Sequence, residues 1–141
     1  MASKVFLLKK SEVDLAGEIP RLFDTVAKEV IAKGDSVAIK LHFGEPGNEA
    51  YLKPKYVKPI IHKVKEAGGR PFLTDANTLY KGDRSDTKTH LQTAKAHGYS
   101  LETMGAEVII ADGPDSHDVE KIPVNLKHFK DLYFRSDFRP E

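Results

Sequence analysis

The chain has 141 residues, which predicts a single domain over residues 1–141, because one domain takes roughly 150 residues. Hydrophobic residues make up 40% and charged residues 30%, a globular mix that excludes collagen-like, disordered and membrane-spanning chains. The 22 Lys and Arg residues are balanced by 21 Asp and Glu residues, and there is no Cys, which excludes disulfides and any Cys-ligated iron–sulfur cluster in this chain.

The first two predicted elements are a strand and a helix. Lys4–Leu8 is a short apolar run beside charged residues, which predicts a buried first strand. This run is too short for the apolar region of a signal peptide, so we expect a cytoplasmic protein. The helix has Pro20 in its first turn and Gly34 just beyond its end. Its apolar residues recur at the helical spacing: Ile19, Leu22, Phe23, Val26, Ala27, Val30 and Ile31.

The next strand, loop, helix and strand follow in order. Ser36–Phe43 reads as a strand whose apolar residues run nearly together, which indicates that both of its faces are covered. A loop over residues 44–53 is longer than most connections of its kind, and such loops are often functional. Pro59 predicts that the second helix starts near Tyr56 or bends in its first turn. A third strand follows at Arg70–Thr74.

Capping residues mark the helices of the second half. Asp86 and Gly98 predict a helix from about Thr87 to His97, and Ser100 predicts a short helical turn that ends at Met104. The remaining apolar runs predict a fourth strand and then two weaker strands that are antiparallel or lie at an edge. These runs are Glu107–Ala111, Glu120–Val124 and Lys130–Arg135.

Strands that alternate with helices predict an α/β fold. We expect a three-layer, open, mostly parallel sheet flanked by helices, with antiparallel edge strands at the C-terminus. Ligands of such sheets bind beyond the carboxyl ends of the strands. The polar residues at these ends are Lys40, His42, Glu45, Asp75, Asn77, Thr78, Asp112, Asp115 and His117.

Two of these strand ends predict a binding site. Lys40 and His42 share one face of their strand, where they can hold an anion or pass a proton. Asp75 can act as a general base or metal ligand, or simply bond its own turn. We predict His42 and Asp75 as the catalytic residues. Arg84 can clamp a carboxylate or phosphate, although solvated loops also carry such charges.

The segment Asp112–Asp118 holds three carboxylates and a histidine, which suits a hard divalent cation but also a solvated turn. Its spacing matches no defined metal-binding loop, so the identity of any metal or cofactor is left open. His90 lies near the start of its helix and can point back to the strand ends. Asn77 is interpreted as a turn residue.

Three motifs carry a resemblance to a known family. They are Val37–Asn48, Thr74–Arg84 and the pair His90 with Ala96–Gly98. Over roughly residues 3–130 the chain resembles the domain-of-unknown-function family 362, whose longer members are often labelled iron–sulfur centre proteins. The resemblance implies an α/β domain that continues, in longer members, into a second half with Cys clusters. The positions that match the family pattern are Lys40, His42, Glu45, Asp75, Thr78, Arg84 and His90.

This chain departs from the family by having no Cys and by ending near where the second half would begin. A more remote likeness to nickel-cofactor lactate racemases implies small-acid or metal-cofactor chemistry. The resulting hypotheses are a protein, or part of an enzyme, that binds a small anionic ligand or metal cofactor; a module that works with a ferredoxin-like iron–sulfur partner; or a truncated copy without a working site. An exposed sheet edge would also suit a homodimer. We expect no nucleic-acid and no membrane partner.

Overall fold

The computed structural model describes residues 4–9 and 14–135; the rest of the predicted domain lies outside the described residues. Helix α1 spans Leu15–Val26 and begins earlier than the sequence predicts, because the Asp14 side chain accepts a hydrogen bond from the Ala16 N–H at 3.2 Å. Pro20 therefore lies inside α1 and not in its first turn. The chain then tightens into a 3₁₀ turn at Lys28–Val30, so the predicted helix end near Gly34 is wrong.

The remaining helices are α2 (Pro54–Glu66), α3 (Thr87–Ala96) and α4 (Leu101–Met104). α2 begins at Pro54 and not near Tyr56, because proline needs no hydrogen-bond acceptor at the first helical position. The capping predictions are confirmed: the Asp86 side chain accepts from the Thr89 N–H, and the Ser100 side chain from the Thr103 N–H.

Three parallel strands form the main sheet, in the order β1 (Ser36–Lys40), β2 (Arg70–Asp75) and β3 (Glu107–Ile110). The register pairs Lys40 with Thr74, and Asp75 with Ile110, so the carboxyl ends of all three strands meet at one edge. The backbone pairing continues one residue further, since the Leu41 N–H bonds the Thr74 carbonyl at 3.1 Å. We call this the carboxyl edge of the sheet.

The core lies between this sheet and helices α2, α3 and α4. Along β1 and the residues after it, buried and exposed side chains alternate, so helices do not cover both faces of this strand. The fully or nearly buried core residues are Leu41, Phe43, Val57, Ile61, Leu73, Ala94, Tyr99, Met104, Ala106 and Ile110.

The last two strands, β4 (Val119–Pro123) and β5 (Asp131–Arg135), pair with each other in antiparallel orientation. They form a separate two-stranded sheet, which we call the C-terminal hairpin. The structure thus confirms the α/β class: a three-stranded parallel sheet flanked by helices, with a small antiparallel sheet at the C-terminus. None of the described helices is both long and apolar enough to cross a membrane.

The predicted first strand is wrong. Residues 4–9 contain no strand, and Val5 and Leu7 are exposed to solvent. Phe6 lies across a small cavity from Leu22 of α1. A five-residue apolar run does not distinguish a strand from a segment that lies against a helix, which is why the sequence misled here.

Candidate functional site

Asp75 is the centre of the polar network at the carboxyl edge. It is the last residue of the central strand and is 5% exposed. The Lys40 Nζ donates to its Oδ1 at 3.0 Å, the Arg84 Nη1 to its Oδ2 at 2.9 Å, and the Ala76 N–H to its Oδ1 at 2.9 Å. Two cations and one backbone amide thus hold one buried carboxylate.

These contacts keep Asp75 ionised. Burial alone raises the pKa of Asp75, but three contacts outweigh burial and lower the pKa to about 2: His90, when its Nε2 carries a proton, Lys40 and the Ala76 N–H. The distance from the His90 Nε2 to the Asp75 Oδ2 is 3.6 Å, longer than a hydrogen bond, so we assign most of the lowering to the closer donors. A carboxylate with so low a pKa is a weak base at neutral pH.

Arg84 joins the two loops that follow β1 and β2. Its guanidinium is almost fully buried, and its Nε donates to the Glu45 Oε1 at 2.8 Å. Its Nη2 donates to the Tyr80 hydroxyl at 3.0 Å, and that hydroxyl donates to Glu45 at 2.7 Å. The hydrogen bonds from Tyr80 and Arg84 hold the pKa of Glu45 below its ordinary value. Arg84 therefore clamps carboxylates of the protein itself.

Lys40 and His42 are the accessible members of the group. The Lys40 side chain is 63% exposed although its Nζ bonds Asp75. His42 is exposed, and its Nδ1 accepts a hydrogen bond from the Gly44 N–H at 2.9 Å. Lys40 and His42 are the exposed neighbours of buried Leu41 in the chain, which agrees with the predicted alternation.

Gly44 fixes the path of the loop that follows. Its φ is +97°, and a Cβ at this position would lie 2.6 Å from the His97 Nδ1. His97 lies 2.8 Å from the Phe43 carbonyl through that same nitrogen, and its ring stacks on Tyr51 with a centroid separation of 4.3 Å. The Gly44 backbone packs against His97 and donates to His42, so it helps to fix the position of His42.

His90 lies beneath Asp75 and is 0% exposed. Its Nδ1 lies 3.1 Å from the Asn77 Oδ1, and the Asn77 Nδ2 donates to the Thr87 hydroxyl at 3.1 Å. The Asn77 N–H donates to the buried Asp112 carboxylate at 2.7 Å. Asn77 therefore links α3 to the turn after β3, a role beyond the turn that its sequence indicated.

The structure thus brings together Lys40, His42, Glu45, Asp75, Arg84 and His90 at one edge. Thr78 is not part of this group, because both of its contacts are with the backbone of its own loop. Its hydroxyl donates to the Tyr80 carbonyl at 3.0 Å, and its N–H donates to the Arg84 carbonyl at 2.9 Å, which closes the loop over residues 78–84. Sequence reasoning missed Tyr80 and Thr87. The only signal for Tyr80 was its place within a family-like motif.

The turn after β3 divides the predicted cation-binding segment. Asp112 is buried, whereas Asp115, His117 and Asp118 are exposed. Within the described residues, no group of three or more His, Asp or Glu side chains is placed to hold a metal ion. The identity of any metal stays an open prediction.

Comparison with known proteins gave one match. The family model described as "Domain of unknown function (DUF362)" matches residues 37–139, which is most of the chain. Neither the curated proteins nor the solved structures gave a match.

Proposed function

The chain belongs to the DUF362 family of domains of unknown function, and from this premise we propose that its carboxyl edge binds a small anionic ligand through Lys40 and His42. Because the family assignment carries no activity, the proposal depends on the geometry of the site. The observation that carries it is the exposed Lys40 ammonium at the carboxyl edge of a parallel sheet, with an exposed imidazole two residues further along the chain.

Lys40 keeps donors for a ligand. An ammonium group has three N–H donors, and Asp75 takes one of them. The Asp75 contact holds the ammonium at the edge while most of the side chain faces solvent. A carboxylate or phosphate oxygen can accept from the remaining donors.

His42 supplies a second donor. Its Nδ1 accepts the Gly44 N–H, so in the neutral imidazole the hydrogen lies on Nε2. An anion beside Lys40 can accept that hydrogen.

The carboxylates near these residues are each paired with a cation. Asp75 and Glu45 are both paired with Arg84, and Asp75 also with Lys40. Two carboxylates are thus matched by two cations. The paired groups fix the position of Lys40, and Lys40 and His42 contact the ligand.

The test is a titration with inorganic phosphate and, separately, with acetate, followed by amide NMR. We expect the largest shifts at residues 40–45 and 75–78, and at least about a tenfold loss of affinity in Lys40→Met, since a charge-assisted hydrogen bond contributes ~1.5–3 kcal/mol. Lys58→Met is the matched control, because Lys58 is exposed on α2 and lines a groove with Pro20 of α1. Equal phosphate affinity in both variants would rule the proposal out.

The finer hypotheses stay predictions. Membership of this family is consistent with all of them: catalysis by His42 or Asp75, a metal cofactor, a ferredoxin-like partner, a homodimer, a cytoplasmic location and a copy without a working site. We place anion binding ahead of these hypotheses because it is argued from contacts among the described residues.

A further inference from the structure

A chain of directed hydrogen bonds ends at His90. It begins at the Gly113 carbonyl, which can only accept, and which lies 2.7 Å from the Thr87 hydroxyl. Thr87 must therefore donate its single hydrogen to Gly113. Its oxygen is then an acceptor for any other neighbour.

The direction of the Thr87 hydrogen bond determines which way the Asn77 side-chain amide is turned. The Asn77 nitrogen Nδ2 lies 3.1 Å from the Thr87 oxygen and donates to it. With the amide turned over, the Asn77 oxygen would face a hydroxyl whose hydrogen is already used. The Asn77 Oδ1 therefore faces the His90 Nδ1, 3.1 Å away, and accepts a hydrogen from it.

The other ring nitrogen is buried without a hydrogen bond. The His90 Nε2 has no such partner among the described residues and faces the Asp75 Oδ2 at 3.6 Å. The same Oδ2 accepts from the Arg84 Nη1, whereas Lys40 and the Ala76 N–H donate to Oδ1. The Phe43 ring lies edge-on to the imidazole, with centroids 5.9 Å apart. A proton that reaches Nε2 therefore lies between the imidazole and the Asp75 carboxylate.

We propose that Asn77 and Thr87 are positioning residues that hold His90 in its Nδ1–H form, so that the buried Nε2, which faces Asp75, keeps a free lone pair. This inference deepens the anion-binding proposal by naming the residues that set the tautomer of the imidazole beneath Asp75, and it rests on that proposal for its biological role. The Nδ1–H form itself is a property of the ligand-free protein.

The test is nitrogen NMR of the histidine rings in the ligand-free full chain at about pH 8, where an ordinary imidazole is neutral. We expect a hydrogen on the His90 Nδ1 in at least about tenfold excess over the opposite tautomer, since two consecutive hydrogen bonds favour it. Thr87→Val removes the hydroxyl that sets the direction of the chain, so the excess should fall several-fold.

Thr93→Val is the matched control. Thr93 lies in the same helix, is also buried, and its hydroxyl contacts the Asp83 carbonyl at 3.5 Å, outside the chain of bonds. The His90 tautomer ratio in Thr93→Val should match that of the parent protein, even if both variants are less stable than the parent. A bare Nδ1 in the parent protein, or an unchanged ratio in Thr87→Val, would overturn the inference. Because no ligand is present, neither result depends on whether phosphate binds.

Discussion

Two ion pairs of equal length lie in very different surroundings. The Arg84 Nη1 to Asp75 Oδ2 distance and the Lys121 Nζ to Asp131 Oδ2 distance are both 2.9 Å. The first pair lies at the carboxyl edge, with side chains 4% and 7% exposed; the second lies in the C-terminal hairpin, with side chains 56% and 32% exposed. Burial, and not distance, decides what each pair does for the protein.

Water screens the hairpin pair and weakens it, whereas the buried pair interacts in a lower dielectric. The buried charges also cannot turn to solvent when a partner is lost, so each one depends on the others. Lys40 and Glu45 are positioned through their bonds to Asp75 and Arg84. The side chains of β4 in the hairpin are all exposed, and a two-stranded sheet is by itself marginally stable.

The largest expected effect follows from removing the buried cation. Arg84→Met keeps a similar length but leaves Asp75 and Glu45 without their shared partner. Loss of one partner of a buried ion pair costs about 3–5 kcal/mol, so we expect a decrease of that size in the free energy of unfolding, measured by urea denaturation.

Arg21→Met is the control for Arg84→Met. The Arg21 side chain is 82% exposed and lies 3.5 Å from Glu18. Its replacement should change the free energy of unfolding by no more than about 0.5 kcal/mol. Similar losses in both variants would mean that burial of Arg84 is not the cause.

A smaller effect follows from acid. The pKa of Asp75 falls from its ordinary 3.8 to about 2 in the folded state, so the carboxylate stabilises the fold above about pH 4. That stability is lost as the pH falls from about 4 to 2, and it amounts to about 2 kcal/mol. Urea denaturation across this range should show the loss in the parent protein. Asp75→Asn should lose about 2 kcal/mol less over the same interval; an identical pH dependence in both would contradict the assignment.

Sequence patterns identified the residues at the strand ends because the strands themselves are local features, and a general rule of parallel sheets says where their ends meet. Carboxyl ends of parallel strands meet at one edge, so Lys40 and Asp75 could be placed at the same edge in advance although they are 35 residues apart. Asp86 and Ser100 were found because capping is a local interaction.

The rest depended on contacts that have no sequence spacing. Asn77 reaches Asp112 across 35 residues, and Tyr80 reaches Glu45 across the same separation. Nothing in the residue order sets such pairs, because two loops must first pack against each other. The start of α1 was missed for a different reason: Asp14 caps the helix although the apolar stripe that indicated it starts later, at Ile19.

The smallest expected effect belongs to the hairpin pair. Lys121→Met removes an ammonium group whose Asp131 partner can turn to water, so we expect a change below about 0.5 kcal/mol in the free energy of unfolding. A double-mutant cycle with Asp131→Asn isolates the interaction, and its coupling should lie in the same small range. A coupling energy near that of a buried pair would mean that another surface covers the hairpin in solution, because only exclusion of water can strengthen a pair at unchanged distance.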